Sequence, residues 1–194
     1  MRLPKIAILI SGTGTNMEAI VDACATGELQ AEVTFVGSDR ANAKGLKTAA
    51  SYGINTTVFC YKDMGRNAAE KAIAEAIDET CSEWIVLAGF MRVLSPAFVK
   101  RFTGKIINIH PSLLPAFPGA HGIQEAWDAG VDVSGVTVHI VDEGVDSGPI
   151  LAQEEVARLP EDTIDTFEAR IHKTEHRIYK TTLKKVFEDN RKNK

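Results

Sequence analysis

The sequence predicts an α/β protein: a single domain with a mostly parallel twisted sheet, helices on both faces, and a long C-terminal helix. Three observations predict it. Short, continuously apolar runs alternate with stretches of helical spacing as far as residue 109. The first apolar run leads at once into a glycine turn and then a helical stripe. The chain closes on a long segment, Thr163 to Phe187, with Phe167, Ile171, Ile178 and Phe187 at helical spacing and facing inward.

The elements are read in chain order. Lys5 to Ser11 is apolar throughout, as expected of a strand buried on both faces. Thr15 to Thr26 places Met17, Ile20, Val21 and Cys24 on one helical side. Ala31 to Gly37 reads as the next strand, and Lys44 to Tyr52 as a short helix ended by Gly53. Ile54 to Phe59 is rich in β-branched residues and reads as a strand. Arg66 to Thr80 carries the stripe Ala69, Ala72, Ile73, Ala76, Ile77. Trp84 to Ala88 is a strand, Pro96 to Arg101 a helix with proline in its first turn, and Lys105 to Ile109 a fifth parallel strand. Val133 to Val141 and Pro149 to Val156 form two further strands around a Gly/Asp-rich turn, with one antiparallel member expected.

Bulk properties narrow the function class. The 194 residues suit one domain, 1–194, without a linker or repeat. Net charge is -4, and Lys/Arg residues cluster nowhere except in the last few residues, so a nucleic-acid partner is not expected. The run Arg191-Lys192-Asn193-Lys194 reads as a frayed tail. Cys24, Cys60 and Cys81 are odd in number and widely spaced, which argues against disulfides and zinc; each reads as a small buried hydrophobe in a reducing, cytoplasmic setting. The apolar run Ile6 to Ile10 is too short for a membrane span.

In a doubly wound sheet ligands bind beyond the carboxyl ends of the strands. Three segments occupy such positions: 11–16, 89–94 and 108–122. In the first, Ser11-Gly12-Thr13-Gly14-Thr15-Asn16 offers a tight turn and free N–H groups at a helix start, which suits a phosphate. A dinucleotide fingerprint would place a third glycine where Met17 stands, and no Gly-Lys-Ser/Thr is present beyond it for a P-loop. Asp39, after the second strand, is a candidate ribose partner.

The third segment is the most informative. A buried strand delivers Asn108 and His110 two residues apart, so both point to one side, and Pro111 and Pro115 stiffen the loop beyond the strand. An amide donor beside an imidazole suits an oxyanion at a carbonyl carbon. Asp142, Glu143 and Asp146 lie in the late turn, where a carboxylate can face His110. His172 and His176 have helical spacing without the third ligand or His-Glu-x-x-His pattern of zinc enzymes, so no metal is expected.

Taken together, Val86-Leu87-Ala88-Gly89-Phe90-Met91-Arg92-Val93-Leu94-Ser95-Pro96, Asn108-Ile109-His110-Pro111-Ser112-Leu113-Leu114-Pro115, the opening Ser-Gly-x-Gly-Thr-Asn, Asp146-Ser147-Gly148-Pro149 and Thr174-Glu175-His176 resemble the folate-dependent glycinamide ribonucleotide formyltransferases of purine synthesis. The resemblance covers nearly the whole chain. It implies a Rossmann-like formyltransferase fold and formyl transfer from 10-formyltetrahydrofolate, a cosubstrate, with no tightly bound cofactor. It implies Asn108, His110 and Asp146 as the catalytic trio, Asp146 favouring the imidazolium and relaying a proton. Gly14, Thr15 and Asn16 would hold the substrate phosphate, with His172, Lys173, Thr174 and Glu175 bordering the nucleotide. Arg66, Met91, Arg92, Val93, Leu94, Asn108, Asp142, Glu143, Gly144, Val145 and Asp146 would line the folate site. The half before about residue 100 would serve the nucleotide, and the half after it folate and catalysis. The implied partners are these small molecules, for a monomer or homodimer. Ala116 departs from the lysine common in relatives, and the chain stops soon after the last helix.

Three rivals are separable. A formyltetrahydrofolate deformylase would use water as acceptor and usually adds an N-terminal regulatory domain, whereas the first strand here starts close to Met1. A methionyl-tRNA formyltransferase adds a C-terminal RNA-binding domain. A redox or nucleotide module would use the glycine loop alone, and Met17 argues against it.

Overall fold

The computed structural model describes residues 2–192. The described residues form seven strands and seven helices in the order β1 Lys5–Ile10, α1 Thr15–Ala25, β2 Glu32–Ser38, α2 Lys44–Ser51, β3 Thr56–Val58, α3 Tyr61–Met64, α4 Arg66–Glu79, β4 Trp84–Leu87, α5 Pro96–Arg101, β5 Ile106–His110, α6 Gly122–Asp128, β6 Val133–Ile140, β7 Ile150–Ala157 and α7 Ile164–Lys192. They build one sheet in the order β3-β2-β1-β4-β5-β6-β7. β1 to β5 pair in parallel. β6 runs against both β5 and β7, so it is the one strand of opposite sense, as expected.

Alternation along the central strands divides the core into two layers. Ile6, Ile8, Ile10, Val86, Ile107 and Ile109 pack with α1 and α7. Ala7, Leu9, Ile85, Leu87 and Ile106 pack with α4 and α5. The inward stripe of α7 is buried as its spacing predicts: Phe167, Ile171, Ile178 and Phe187, with Tyr179 and Leu183 beside them. Each of the large apolar side chains contributes about 1.5–3 kcal/mol of burial. Such a stripe holds a helix whose outer face is charged.

Several boundaries differ from the sequence expectation. The strand spans only residues 56–58 of the expected 54–59, at the edge of the sheet, with backbone bonds from Val36 N–H to Asn55 O and from Phe59 N–H to Ser38 O at its ends. α7 continues through Lys192, so Arg191 and Lys192 are helical rather than frayed; positions 193 and 194 lie outside the described residues. α3 and α6 are additional, each too short to show a full amphipathic repeat. The cysteines are not the buried hydrophobes expected: Cys24 and Cys60 are half-buried, and Cys81 is exposed in a left-handed turn after α4, at φ 53°. A turn residue faces water because the backbone reverses there, whatever its hydropathy. Among the described residues, no helix is long and apolar enough to cross a membrane.

The sheet's order reverses at β1, which lies between β2 and β4. That switch point opens a crevice at the carboxyl ends of the strands. Two bonds tie its walls: Ser11 N–H donates to Gly89 O at 3.0 Å, and Met91 N–H donates to Ser11 Oγ at 2.8 Å.

Candidate active site

Two cavities meet at the crevice and share Gly89, Met91, Ile109, Pro111 and Ala120 as common wall. The first has a volume of about 410 Å³ and is lined by the whole glycine loop, 11–16. Gly14 stands at the N-cap of α1 with φ 77°, a conformation that favours glycine. A Cβ at Gly14 would also lie 2.9 Å from Gly45 Cα. Gly45 N–H donates to Gly12 O at 3.1 Å, and a Cβ at Gly45 would strike Ile10 at 2.5 Å. The close approach that a dinucleotide fingerprint makes with its third glycine is thus made here by Gly45, from α2. Met17 instead fills the core, fully buried.

Opposite the loop, α7 presents Glu168, His172 and Glu175 to the same cavity. His172 Nδ1 lies 2.5 Å from Glu175 Oε2, and its Nε2 lies 3.3 Å from Glu168 Oε1. The bond to Glu175, outweighing the cost of burial, raises the His172 pKa above its ordinary value. Gly14, Thr15, Asn16, His172 and Glu175 therefore come together around one space. Lys173 and Thr174 do not reach it: Lys173 is exposed, and Thr174 is buried with its hydroxyl donating to Arg170 O at 3.1 Å.

The second cavity, about 200 Å³, is lined by Met91, Arg92, Val93, Leu94, Asn108, His110, Asp142, Gly144, Val145 and Asp146. Glu143 is exposed and does not line it. Arg66, at the start of α4, is exposed and lines neither cavity. Asp39 does not offer itself to a ribose. Its side chain is fully buried, and Arg92 Nε holds its Oδ2 at 2.6 Å, with the Arg92 guanidinium also 5.2 Å from the Tyr61 ring centroid.

Asn108 and His110 share the sheet face of Ile106, opposite α7, as their spacing predicts. The loop after β6 folds Asp146 back against them. Asp146 Oδ2 lies 3.4 Å from His110 Nδ1 and accepts from Gly119 N–H at 2.8 Å. Its Oδ1 lies 3.4 Å from Asn108 Nδ2 and 3.5 Å from Nε2 of His139. Asp146 adopts φ 51°, a left-handed conformation that Asp tolerates better than most residues. Burial alone would raise its carboxyl pKa. The His139 contact, the Gly119 N–H and the two nearby imidazoles outweigh burial and hold it below its ordinary value. His110 Nε2 donates to Phe117 O at 2.7 Å, so both of its ring nitrogens face oxygen.

His139 was not foreseen from sequence. It is buried on β6 directly opposite Asn108, and its Nε2 lies 3.2 Å from the Asn108 amide nitrogen. A lone histidine inside an apolar strand carries no local signal of function. Its one clue was its parity with Thr137, a second polar residue on the same face of β6. Arg40 and Glu168 were likewise unforeseen members of the first cavity, and His121 was foreseen only as part of segment 108–122.

A bound amide donor, an ionised carboxylate shared between imidazoles, and a polar cavity opening onto the same crevice form a centre for attack at a carbonyl carbon. Comparison with known proteins agrees. The family model described as "Formyl transferase" matches residues 4–183. Phosphoribosylglycinamide formyltransferase of Haemophilus influenzae is 44% identical over 94% of this chain and 86% of its own. The trifunctional purine biosynthetic protein adenosine-3 of Gallus gallus is 45% identical over 94% of this chain, which spans only 18% of that longer protein. The crystal structure of glycinamide ribonucleotide transformylase 1 from Geobacillus kaustophilus superposes with a TM-score of 0.93, at 44% identity, covering 96% of this chain and 100% of that one. The chain belongs to the formyl transferase family.

Proposed function

We propose that this protein transfers the formyl group of 10-formyltetrahydrofolate to the amine of glycinamide ribonucleotide, giving formylglycinamide ribonucleotide and tetrahydrofolate. The observation that carries the reading is the meeting of Asn108, His110 and Asp146 in the second cavity, which shares a wall with a cavity built on a helix N-terminus suited to phosphate.

The residues divide the work. Gly14, Thr15 and Asn16 receive the phosphate, and Glu175, with His172 beside it, accepts ribose hydroxyls. The slot formed by Met91, Arg92, Val93 and Leu94 on one side and Asp142, Gly144 and Val145 on the other takes the pterin. Lys173, Thr174, Glu143 and Arg66 would act only by moving toward bound ligand, because none lines a cavity here.

The substrate amine attacks the formyl carbon and a tetrahedral oxyanion forms. Asn108 donates to that oxygen. Its present contacts to His139 and Asp146 are long, 3.2 and 3.4 Å, so one N–H turns to the oxyanion at little cost. Asp146, whose pKa is held below its ordinary value and which stays ionised, relays through water the proton the amine loses. His110, fixed by Phe117 O and facing Asp146, adds positive character beside the oxyanion. The proton passes to the folate nitrogen as its bond to the formyl carbon breaks. The folate is a cosubstrate, consumed in each turnover. The protein acts in the cytoplasm, as a monomer or homodimer and as a single domain.

The test is a two-substrate assay. Tetrahydrofolate should form only when glycinamide ribonucleotide is present, with stoichiometric formylated nucleotide. Tetrahydrofolate and formate released without the nucleotide would identify a deformylase instead.

A further inference from the structure

The first cavity is built to receive an anion, yet its positive charge has an unexpected source. The glycine loop contains no lysine or arginine. On the facing helix, His172 has both ring nitrogens engaged by Glu175 and Glu168, so that wall is acidic around an occupied imidazole. His121 is the other titratable side chain lining the space. Among the described residues, Arg40 is the one arginine or lysine that lines this cavity.

Its position is fixed and its charge is free. Arg40 N–H donates to Ser38 Oγ at 3.1 Å, and Arg40 O accepts from Ala43 N–H at 3.2 Å. The segment so held leads directly to Gly45, which is packed on Gly12 and Gly14. The base of Arg40 is thereby tied to the loop that receives the anion. Its side chain is 55% exposed, and its nearest carboxylate, Asp39, is 3.9 Å away. That carboxylate oxygen is already held by Arg92 at 2.6 Å, so Asp39 makes little further claim on Arg40. A planar fork of donors with no strong partner, at the rim of a phosphate-type loop, is suited to bidentate phosphate recognition.

We propose that Arg40 is a specificity-determining contact for the substrate phosphate. Its guanidinium closes over a phosphate seated at residues 12–16 and selects the phosphorylated acceptor over the corresponding dephosphorylated riboside. This rests on the functional reading above and adds to it the residue that distinguishes a nucleotide from a nucleoside.

The experiment compares kcat/KM for glycinamide ribonucleotide and for its dephosphorylated riboside in wild type, Arg40→Ala and Arg40→Lys. The nucleotide-to-riboside ratio should fall about 10- to 100-fold in Arg40→Ala, the scale of one charge-assisted hydrogen-bond pair, and less in Arg40→Lys, which keeps the charge but not the fork. A ratio measured on one preparation does not depend on how much of it is folded, so a destabilised variant remains informative. An unchanged ratio in Arg40→Ala overturns the proposal. Calorimetric titration with ribose 5-phosphate separates this inference from the reaction assignment. Wild-type binding that weakens in Arg40→Ala supports the role of Arg40 even if no formyl transfer is found. Equal binding by both proteins, or none by the wild type, overturns it.

Discussion

The two cavities share a wall but are made in different ways. The phosphate end of the nucleotide-side cavity is chiefly backbone: a glycine loop, a helix N-terminus and the closely packed Gly14 and Gly45. The catalytic cavity is chiefly side chain: Asn108, His110, His139 and Asp146 converge from two strands and a loop. A backbone site is local in sequence, and its donors survive most single substitutions. A side-chain site is assembled by the fold and fails when one member is changed. The two halves should therefore respond to mutation in different kinetic parameters.

The largest effect is expected at Asp146. Asp146→Asn keeps the shape but removes the charge shared by His110 and His139, and kcat should fall about 10³–10⁴-fold, as when the carboxylate orienting a catalytic imidazole is neutralised. The melting temperature at neutral pH should fall only by the modest stabilisation the charged carboxylate supplies. A mutant within tenfold of wild-type kcat would break the assignment. Linkage adds a second readout. The depressed Asp146 pKa means its stabilisation is present above the ordinary value of 3.8 and is lost as pH falls through the lower folded value. The mutant should therefore lack this component of the acid-side loss of stability, seen by comparing melts across that range.

Next comes Asn108→Ala, with kcat lowered about 10²–10³-fold and KM for both substrates nearly unchanged, the pattern of a lost oxyanion donor. A normal kcat would remove Asn108 from the reaction.

The nucleotide side should answer differently. Asn16→Ala and Glu175→Ala should raise KM for glycinamide ribonucleotide about 10- to 100-fold, the scale of one or two hydrogen bonds to charged groups, and leave folate KM near wild type. Equal weakening toward both substrates would erase the distinction between the cavities.

The smallest effect concerns His172. Its pKa is raised, so its stabilising contact with Glu175 is fully present below the ordinary 6.5 and is lost as pH rises through the higher folded value. His172→Gln should therefore melt below wild type in mildly acidic buffer, and the gap should close in alkaline buffer. A gap that widens with rising pH would show that this histidine is held for another reason.

The same contrast explains what could be read in the sequence. Buried parallel strands announce themselves as apolar runs, so β1, β4 and β5 were legible, as was the glycine loop after β1. Asn108 and His110 were legible because they interrupt such a run with the parity of a strand. Asp146 was one acidic residue among three in its turn, and resemblance rather than spacing singled it out. His139 and Arg40 became visible only once pairing set one opposite Asn108 and the other beside the glycine loop. Gly45 shows the same limit: nothing in the sequence marked it as the glycine packed against Gly12 and Gly14.

Tyr179 carries one further consequence. Its buried hydroxyl lies 2.9 Å from both Leu87 O and Ile107 O, on β4 and β5. Glu175 stands about one helical turn earlier on the same α7, roughly 6 Å along its axis. The helix is thus pinned to the two strands that lead into the catalytic loops. Sliding α7 along its axis would stretch both of these contacts at once. If the acceptor binds as proposed, the separation between its ribose end and its reacting amine is gauged by this strut of helix and sheet.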